Sequence, residues 1–175
     1  MEGRNRRVVL YGHTALRTRA RPVTVIDDDL RRLLADLRRT MVEQDGLGLA
    51  ANQIGETTRA FAIDPRGADV DSRPYCVINP EVVATEGELE REEGCLSLPG
   101  IWEVLPRPEL VRIRGLDETG AEVELEASGI IARAFLHELD HLNGQLLIDR
   151  VGPTRRGLLA GKLREIEDRE RQECG

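Results

Sequence analysis

The sequence predicts an α+β fold, in which strands and helices occupy separate parts of the chain. Three observations carry this prediction: an amphipathic helix in the first third, a series of short strands in the middle, and two further helices towards the C-terminus. Strands and helices do not alternate, as they would in a parallel α/β fold. The 175 residues have the length of one domain, and we expect residues 1–175 to form a single domain.

The first predicted helix covers residues 27–45, DDDLRRLLADLRRTMVEQD. Aspartates precede it and Gly46 follows it, which is typical of helix boundaries. Its apolar side chains share one face, and they are Leu30, Leu33, Leu34, Leu37 and Met41. The next stretch, GLGLAANQIG at 46–55, is too rich in glycine for a helix interior, and we assign it no regular structure.

The middle of the chain has the pattern of short strands. These segments are residues 59–64, 75–79, 81–85, 110–115 and 121–127. Pro80 is expected to end the second strand before the third begins. The last two alternate apolar and polar side chains on either side of the turn sequence DETG, which predicts a hairpin.

Helical periodicity returns after Gly129. Residues 130–142 read IIARAFLHELDHL, and Asn143-Gly144 follows them as a helix stop. A last helix is predicted at roughly 154–171. Its apolar side chains are expected to face inward, and they are Leu158, Leu159, Leu163 and Ile166.

Composition excludes several classes of protein. The net charge of −7 argues against nucleic-acid binding by bulk electrostatics. No apolar run approaches the length of a membrane span, and no secretory signal is visible, so we expect a cytoplasmic protein without a membrane partner. Cys76, Cys95 and Cys174 are an odd and sparse set, which argues against a disulfide framework and leaves free or metal-bound thiols.

The stretch FLHELDHLNG at 135–144 contains two of the three histidines in the chain. On a helix, His137 and His141 lie about 40° apart around the axis and one turn apart along it, so both rings can reach one ion. Glu138 lies about 100° from His137, where it can reach a water molecule on that ion. The pattern therefore predicts a metal site.

The residues alone leave the third ligand open. No histidine follows His141, which excludes the three-histidine pattern of some metalloproteases. Glu165 could serve as a carboxylate ligand, as in thermolysin-like peptidases. Cys95, in EEGCLSLPG at 92–100, offers a thiolate, which suits a soft or borderline ion better.

Three stretches occur in a fixed order: GLGLAANQ at 46–53, EGCLS at 93–97 and HELDH at 137–141. Together they resemble the three signature motifs of the peptide deformylases. INPE at 78–81 and PRPE at 106–109 are also similar to features of that family. The resemblance implies antiparallel or mixed sheets packed around a central metal-binding helix, with a C-terminal helix.

The resemblance implies a role for each motif residue. Cys95, His137 and His141 match the metal ligands, with water or hydroxide in the fourth position. Glu138 matches the general base that takes the water proton and delivers it to the departing amine. Gln53 and the Leu96 backbone N–H match the donors to the oxyanion, which amide hydrolysis requires.

The implied reaction is removal of the formyl group from the N-terminal methionine of newly made proteins, with release of formate. The substrates are N-formylmethionyl nascent peptides, and weak association with the ribosome is a further expectation. The implied cofactor is one Fe²⁺ per chain, with Zn²⁺, Ni²⁺ or Co²⁺ as substitutes. Donor chemistry alone would suit zinc as well.

The substrate is expected to pair antiparallel with the first motif, and its methionine side chain to enter an apolar pocket. The residues assigned to substrate binding are Gly46, Leu47, Gly48, Ile130 and Ala134. Support beneath the metal ligands is assigned to Glu93, Asp140 and Arg107. Leu136, Trp102 and His13 depart from common residues of the family, and we expect them to affect substrate preference.

Two alternatives remain. A peptidase that uses Glu165 as the third metal ligand would cleave internal peptide bonds and would not need Cys95. A non-enzymatic protein with a structural metal would have no need of Glu138 or Gln53.

Overall fold

The first helix, α1 (Asp28–Glu43), lies where the sequence predicts it in the computed structural model, which describes residues 2–69 and 71–174. Asp27 caps its first turn by accepting a hydrogen bond from the Leu30 N–H at 2.9 Å. The predicted apolar face is buried, although Leu33 is only partly so. The prediction for this helix is confirmed.

Seven strands follow α1 in the described residues. They are β1 (Gly48–Ala50), β2 (Ala60–Ile63), β3 (Tyr75–Glu86), β4 (Leu89–Gly94), β5 (Trp102–Arg107), β6 (Leu110–Leu116) and β7 (Glu122–Ser128). Five of them form one antiparallel sheet in the order β1-β2-β3-β6-β7, and β4 pairs with β5 in a separate hairpin. The predicted hairpin is β6–β7, and it is confirmed.

Strand β3 continues through Pro80, so the predicted interruption is wrong. The register of β3 against β6 shifts between Ile78 and Glu81, and Asn79 adopts a positive φ of 52°. Asparagine tolerates this conformation, and its side chain bonds the Val23 N–H and carbonyl at 2.8 Å each. The chain therefore accommodates proline as a bulge instead of ending the strand.

The sequence did not predict β1, β4 or β5. Strand β1 is three residues long, and a short 3-10 helix, Ala51–Ile54, follows it directly. Strand β4, LEREEG, has almost no apolar residues, because its buried side carries Glu93 and its exposed side carries other charges. An apolar–polar alternation could not reveal a strand of this composition.

Helix α2 (Gly129–Leu142) occupies the centre of the molecule. Its apolar residues pack against the five-stranded sheet, where Phe135 stacks on Phe61 with ring centroids 6.2 Å apart. Its other side meets the hairpin, because Arg133 donates hydrogen bonds to the carbonyls of Leu89 and Leu105. The predicted arrangement of sheets around a central helix is confirmed.

The C-terminal helix, α3 (Pro153–Cys174), packs beside the hairpin and the N-terminal segment. Leu159, Leu163 and Ile166 are buried as predicted. Leu158 is 74% exposed, so its predicted inward orientation is wrong. No described helix is both long and apolar enough to cross a membrane.

Candidate metal centre

Helix α2 directs both of its histidines at one point. The four-residue spacing places His137 and His141 on consecutive turns, with their ring centroids 4.9 Å apart and their Nε2 atoms 3.1 Å apart. Both rings are buried. Two ring nitrogens that face each other at this distance are well placed to share a cation between them.

The turn after β4 brings Cys95 to the same point. Its Sγ lies 3.2 Å from His141 Nε2, and the ligand atoms of Cys95, His137 and His141 all lie within 4.8 Å of one another. Among residues 2–69 and 71–174, no other trio of cysteine, histidine or acidic side chains meets in this way. Glu165 is exposed on α3 and does not belong to the cluster.

The electrostatics of the three donors fit a divalent cation. Burial and the neighbouring His137 lower the pKa of His141 well below its ordinary value, which keeps that ring neutral and able to coordinate. Burial also acts to lower the pKa of His137, but the Cys95 sulfur and the Glu93 carboxylate outweigh it and raise that pKa well above the ordinary value. The donors therefore attract positive charge, and one thiolate with two imidazoles is a set that zinc and ferrous iron both accept.

Glu138 points from α2 towards β1. Burial raises the pKa of this carboxyl to about 7. Its Oε2 is buried and has no hydrogen-bond partner among the described residues, and a Cβ added at Gly48 would lie 2.5 Å from its Oε1. The glycine therefore makes room for the carboxyl, and the free oxygen is available to a water molecule or a substrate group.

Gln53 approaches the centre from the short 3-10 helix that follows β1. Its Oε1 accepts a hydrogen bond from the Ala50 N–H at 2.9 Å, which turns its Nε2 towards Cys95 Sγ at 3.8 Å and Ser97 Oγ at 3.4 Å. Leu96 follows Cys95 directly, and both residues line a cavity next to the cluster. The amide donor thus faces the space next to the three ligand atoms.

A cavity of about 410 Å³ opens beside the candidate ligands Cys95 and His137, which line it. All five residues assigned to substrate binding line it, and they are Gly46, Leu47, Gly48, Ile130 and Ala134. Strand β1 is the edge of the five-stranded sheet, since it pairs with β2 alone. An edge strand beside a cavity offers backbone groups with which an extended peptide can pair.

The sequence profile of the polypeptide deformylase family matches residues 5–157. A peptide deformylase of Thermodesulfovibrio yellowstonii is 42% identical over 154 residues, which are 88% of this chain and 93% of that protein. A peptide deformylase of Clostridium botulinum is 47% identical over 145 residues, 83% of this chain and 95% of that protein. The chain belongs to the polypeptide deformylase family.

Solved structures agree with this membership. The chain matches a peptide deformylase from Legionella pneumophila with a TM-score of 0.87 and 36% identity, over 94% of this chain and 96% of that one. For a peptide deformylase from Thermus thermophilus the TM-score is 0.85 and the identity 38%, over 94% and 99% of the two chains. The molecule is therefore an enzyme with the deformylase fold, as the sequence predicts.

Buried charged residues surround the candidate metal ligands. Glu93 accepts a hydrogen bond from His137 Nδ1 at 2.7 Å and pairs with Arg107 at 2.6 Å. Arg107 also donates to Asp140 at 2.8 Å, which joins the hairpin to α2. The three side chains thus form one hydrogen-bonded network next to His137.

Sequence reasoning missed two arginines in this network. Arg133 donates to Glu93 at 2.9 Å from within α2, and Arg150 pairs with Asp140. A signal existed for Arg133, because it lies four residues before His137 and its neighbours in the first half of the helix are apolar. A charge at such a position requires a buried partner.

Proposed function

We propose that this enzyme removes the formyl group from the N-terminal methionine of newly synthesised peptides and releases formate. One observation carries the proposal: Glu138, whose Oε2 has no hydrogen-bond partner among the described residues, lines one cavity together with Gln53 and with Cys95 and His137 of the three-residue cluster. Cleavage of an amide needs an activated water, a proton carrier and a donor to the oxyanion, and this cavity contains a group for each.

Cys95, His137 and His141 would hold one divalent cation. When bound, that cation would supply Lewis acidity, which would favour hydrolysis of an amide by water near neutral pH. We propose Fe²⁺ as the ion, with Zn²⁺, Ni²⁺ or Co²⁺ as substitutes. The cysteine ligand is only partly buried, and a thiolate in reach of oxygen is open to oxidation, so the iron form should lose activity in air.

The protein groups carry the proton and the charge. Glu138 accepts the proton of the attacking water and then donates it to the amine as the C–N bond breaks, which leaves formate and a free N-terminus. Gln53 Nε2 and the Leu96 N–H donate to the oxyanion on the formyl carbon. The peptide pairs with the free edge of β1, and its methionine side chain enters the apolar part of the cavity beside Leu47, Ile130 and Ala134.

The test is release of formate from a formyl-Met tripeptide. Protein loaded with Fe²⁺ without oxygen is compared with Zn²⁺-loaded protein and with Glu138→Gln, whose side chain has the same shape. We expect release that is faster with iron and that falls by about 10²–10⁴-fold in the variant. No release with either ion, from protein that binds one metal per chain, would reject the proposal.

A peptidase that uses Glu165 loses support, because that side chain lies outside the cluster. Cys95→Ser tests this directly. The peptidase hypothesis predicts that hydrolytic activity remains in the variant, whereas the deformylase hypothesis predicts that formate release falls.

A further inference from the structure

The outer face of the β4–β5 hairpin combines exposed apolar side chains with exposed carboxylates. Trp102 and Val104 on β5 are 59% and 61% exposed, and Pro106 is exposed beside them. Glu92 and Glu90 on β4 lie directly opposite Val104 and Pro106, and opposite residues of an antiparallel pair share one side. We call these five residues the outer strip.

The two faces of the hairpin differ in how their charges are compensated. On the inner face, Glu93 pairs with Arg107, and Glu103 pairs with Arg155 of α3. On the outer strip, Glu90 and Glu92 are exposed, and neither forms an ion pair with any residue within 2–69 and 71–174. Two uncompensated carboxylates beside an exposed aromatic ring attract cationic and apolar groups.

The outer strip begins at the mouth of the substrate cavity. Trp102 and Glu92 both line that cavity, and so does Gly94 between them. A Cβ added at Gly94 would lie 2.7 Å from the Trp102 ring, so the glycine provides the space that the ring occupies. A peptide that leaves the cavity on this side meets the indole first.

The mouth of the cavity carries both acidic and basic side chains, and the acidic ones are in excess. Asp45 and Glu92 line it and are exposed. Arg133 lines it too, but this cation is buried and pairs with Glu93. Lys162 lies at the rim, where it donates a hydrogen bond to the Gly100 carbonyl.

The dimensions of the outer strip match a short stretch of extended chain. Trp102 and Pro106 are four residues apart on a strand, which is about 13 Å at about 3.3 Å per residue. An extended peptide covers the same length with about four residues. Side chains on one face of that peptide are spaced by about 6–7 Å. The carboxylates of Glu90 and Glu92, two residues apart on β4, have a similar spacing.

We propose that the outer strip binds the part of the formylated chain that follows its third residue, and that it favours cationic and apolar side chains there. The inference rests on the proposed function, because the first residue of the same peptide must occupy the cavity. The indole and Val104 contact apolar side chains, and the two carboxylates contact lysine or arginine.

The test compares formate release from three peptides. They are formyl-Met-Ala-Ala, the same tripeptide extended by Leu-Lys-Leu-Lys, and the same tripeptide extended by Leu-Glu-Leu-Glu. We expect kcat/KM for the lysine peptide to exceed that for the glutamate peptide by about fivefold at low salt, as weak exposed ion pairs allow. The ratio should shrink at high salt, because exposed charges are screened.

Variants assign the preference to the outer strip. Glu90→Gln/Glu92→Gln should bring the lysine-to-glutamate ratio close to one, and Trp102→Ala should lower kcat/KM for the lysine peptide relative to the tripeptide. The matched control is Glu122→Gln/Glu165→Gln, which removes two exposed negative charges elsewhere and should keep the wild-type ratio.

Each other outcome has a defined meaning. A ratio near one in the wild type, or a ratio that the control changes as much as the outer-strip variant does, overturns the inference. Release from the tripeptide in those cases leaves the proposed function standing, whereas no release from any peptide rejects that function. Trp102 is the only tryptophan in the chain. A change in its fluorescence with protein concentration alone would show that a second copy covers the outer strip instead.

Discussion

The two walls of the metal centre are built in different ways. Helix α2 supplies His137, Glu138 and His141 from one regular element, and the helical period alone sets their relative directions. The β4–β5 hairpin supplies Cys95 and Glu93 from an element whose buried side carries charge.

Different interactions hold the two walls in position. The α2 residues are placed by the main chain of a helix packed on the five-stranded sheet. The hairpin is placed by ion pairs to that helix: Glu93 contacts His137 and Arg133, and Arg107 contacts Asp140. We therefore expect α2 to tolerate changes in the hairpin better than the hairpin tolerates changes in α2.

The largest expected effect comes from removing a ligand on each wall. His141→Ala leaves one imidazole and one thiolate, and we expect metal content to fall from one ion per chain to nearly none after dialysis. Cys95→Ser keeps the paired imidazoles of α2 and adds a weak oxygen donor, so we expect weaker but measurable zinc binding. Metal content by atomic spectroscopy and competition with a chelator measure both.

Thermal unfolding of both metal-free variants is the control, because a ligand change should leave the fold intact. Equal loss of zinc from the two variants would contradict the comparison, since the α2 pair would then have no independent affinity. Full retention in His141→Ala would reject His141 as a ligand.

The same contrast explains what the sequence could predict. The α2 residues follow from a spacing of four, and α1 follows from its apolar face and its aspartate cap. Strands β4 and β5 have no apolar alternation, because buried positions hold Glu93, Glu103 and Arg107, whose partners are distant in sequence. Cys95 was assigned through the family motif, and the residues alone had left Glu165 open.

The second effect concerns the carboxylates that join the two walls. Glu93→Gln leaves Arg107 and Arg133 buried without their shared anion, and we expect the free energy of unfolding to fall by about 3–5 kcal/mol. It also removes the carboxylate from His137 Nδ1, which should weaken metal binding by about 10–100-fold. Urea unfolding of metal-free protein and chelator competition separate the two effects.

Asp140→Asn is the matched variant for the other carboxylate. Arg150, one of its two partners, is 41% exposed, and Arg107 keeps its pair with Glu93, so water and Glu93 compensate part of the loss. We expect a smaller fall in unfolding free energy, about 1–3 kcal/mol, and little change in metal affinity. A larger effect in Asp140→Asn than in Glu93→Gln would show that Asp140, and not Glu93, holds the hairpin on α2.

The smallest effect tests whether the sheet positions Glu138. The Cβ of Gly48→Ala would lie 2.5 Å from Glu138 Oε1, and β1 backbone cannot yield easily because it pairs with β2, so the carboxyl must move. Misplacement of a catalytic group by about 1 Å can lower the rate by up to about 10²-fold, and we expect kcat to fall by about tenfold with metal content unchanged.

Gly46→Ala is the control on the same segment, since its Cβ would meet the Leu96 side chain at 3.1 Å and not the Glu138 carboxyl. Equal losses of kcat in the two variants would mean that peptide pairing along the first motif is being disturbed. A loss of kcat confined to Gly48→Ala would mean that the position of Glu138 depends on the space at Gly48 in β1 as well as on α2.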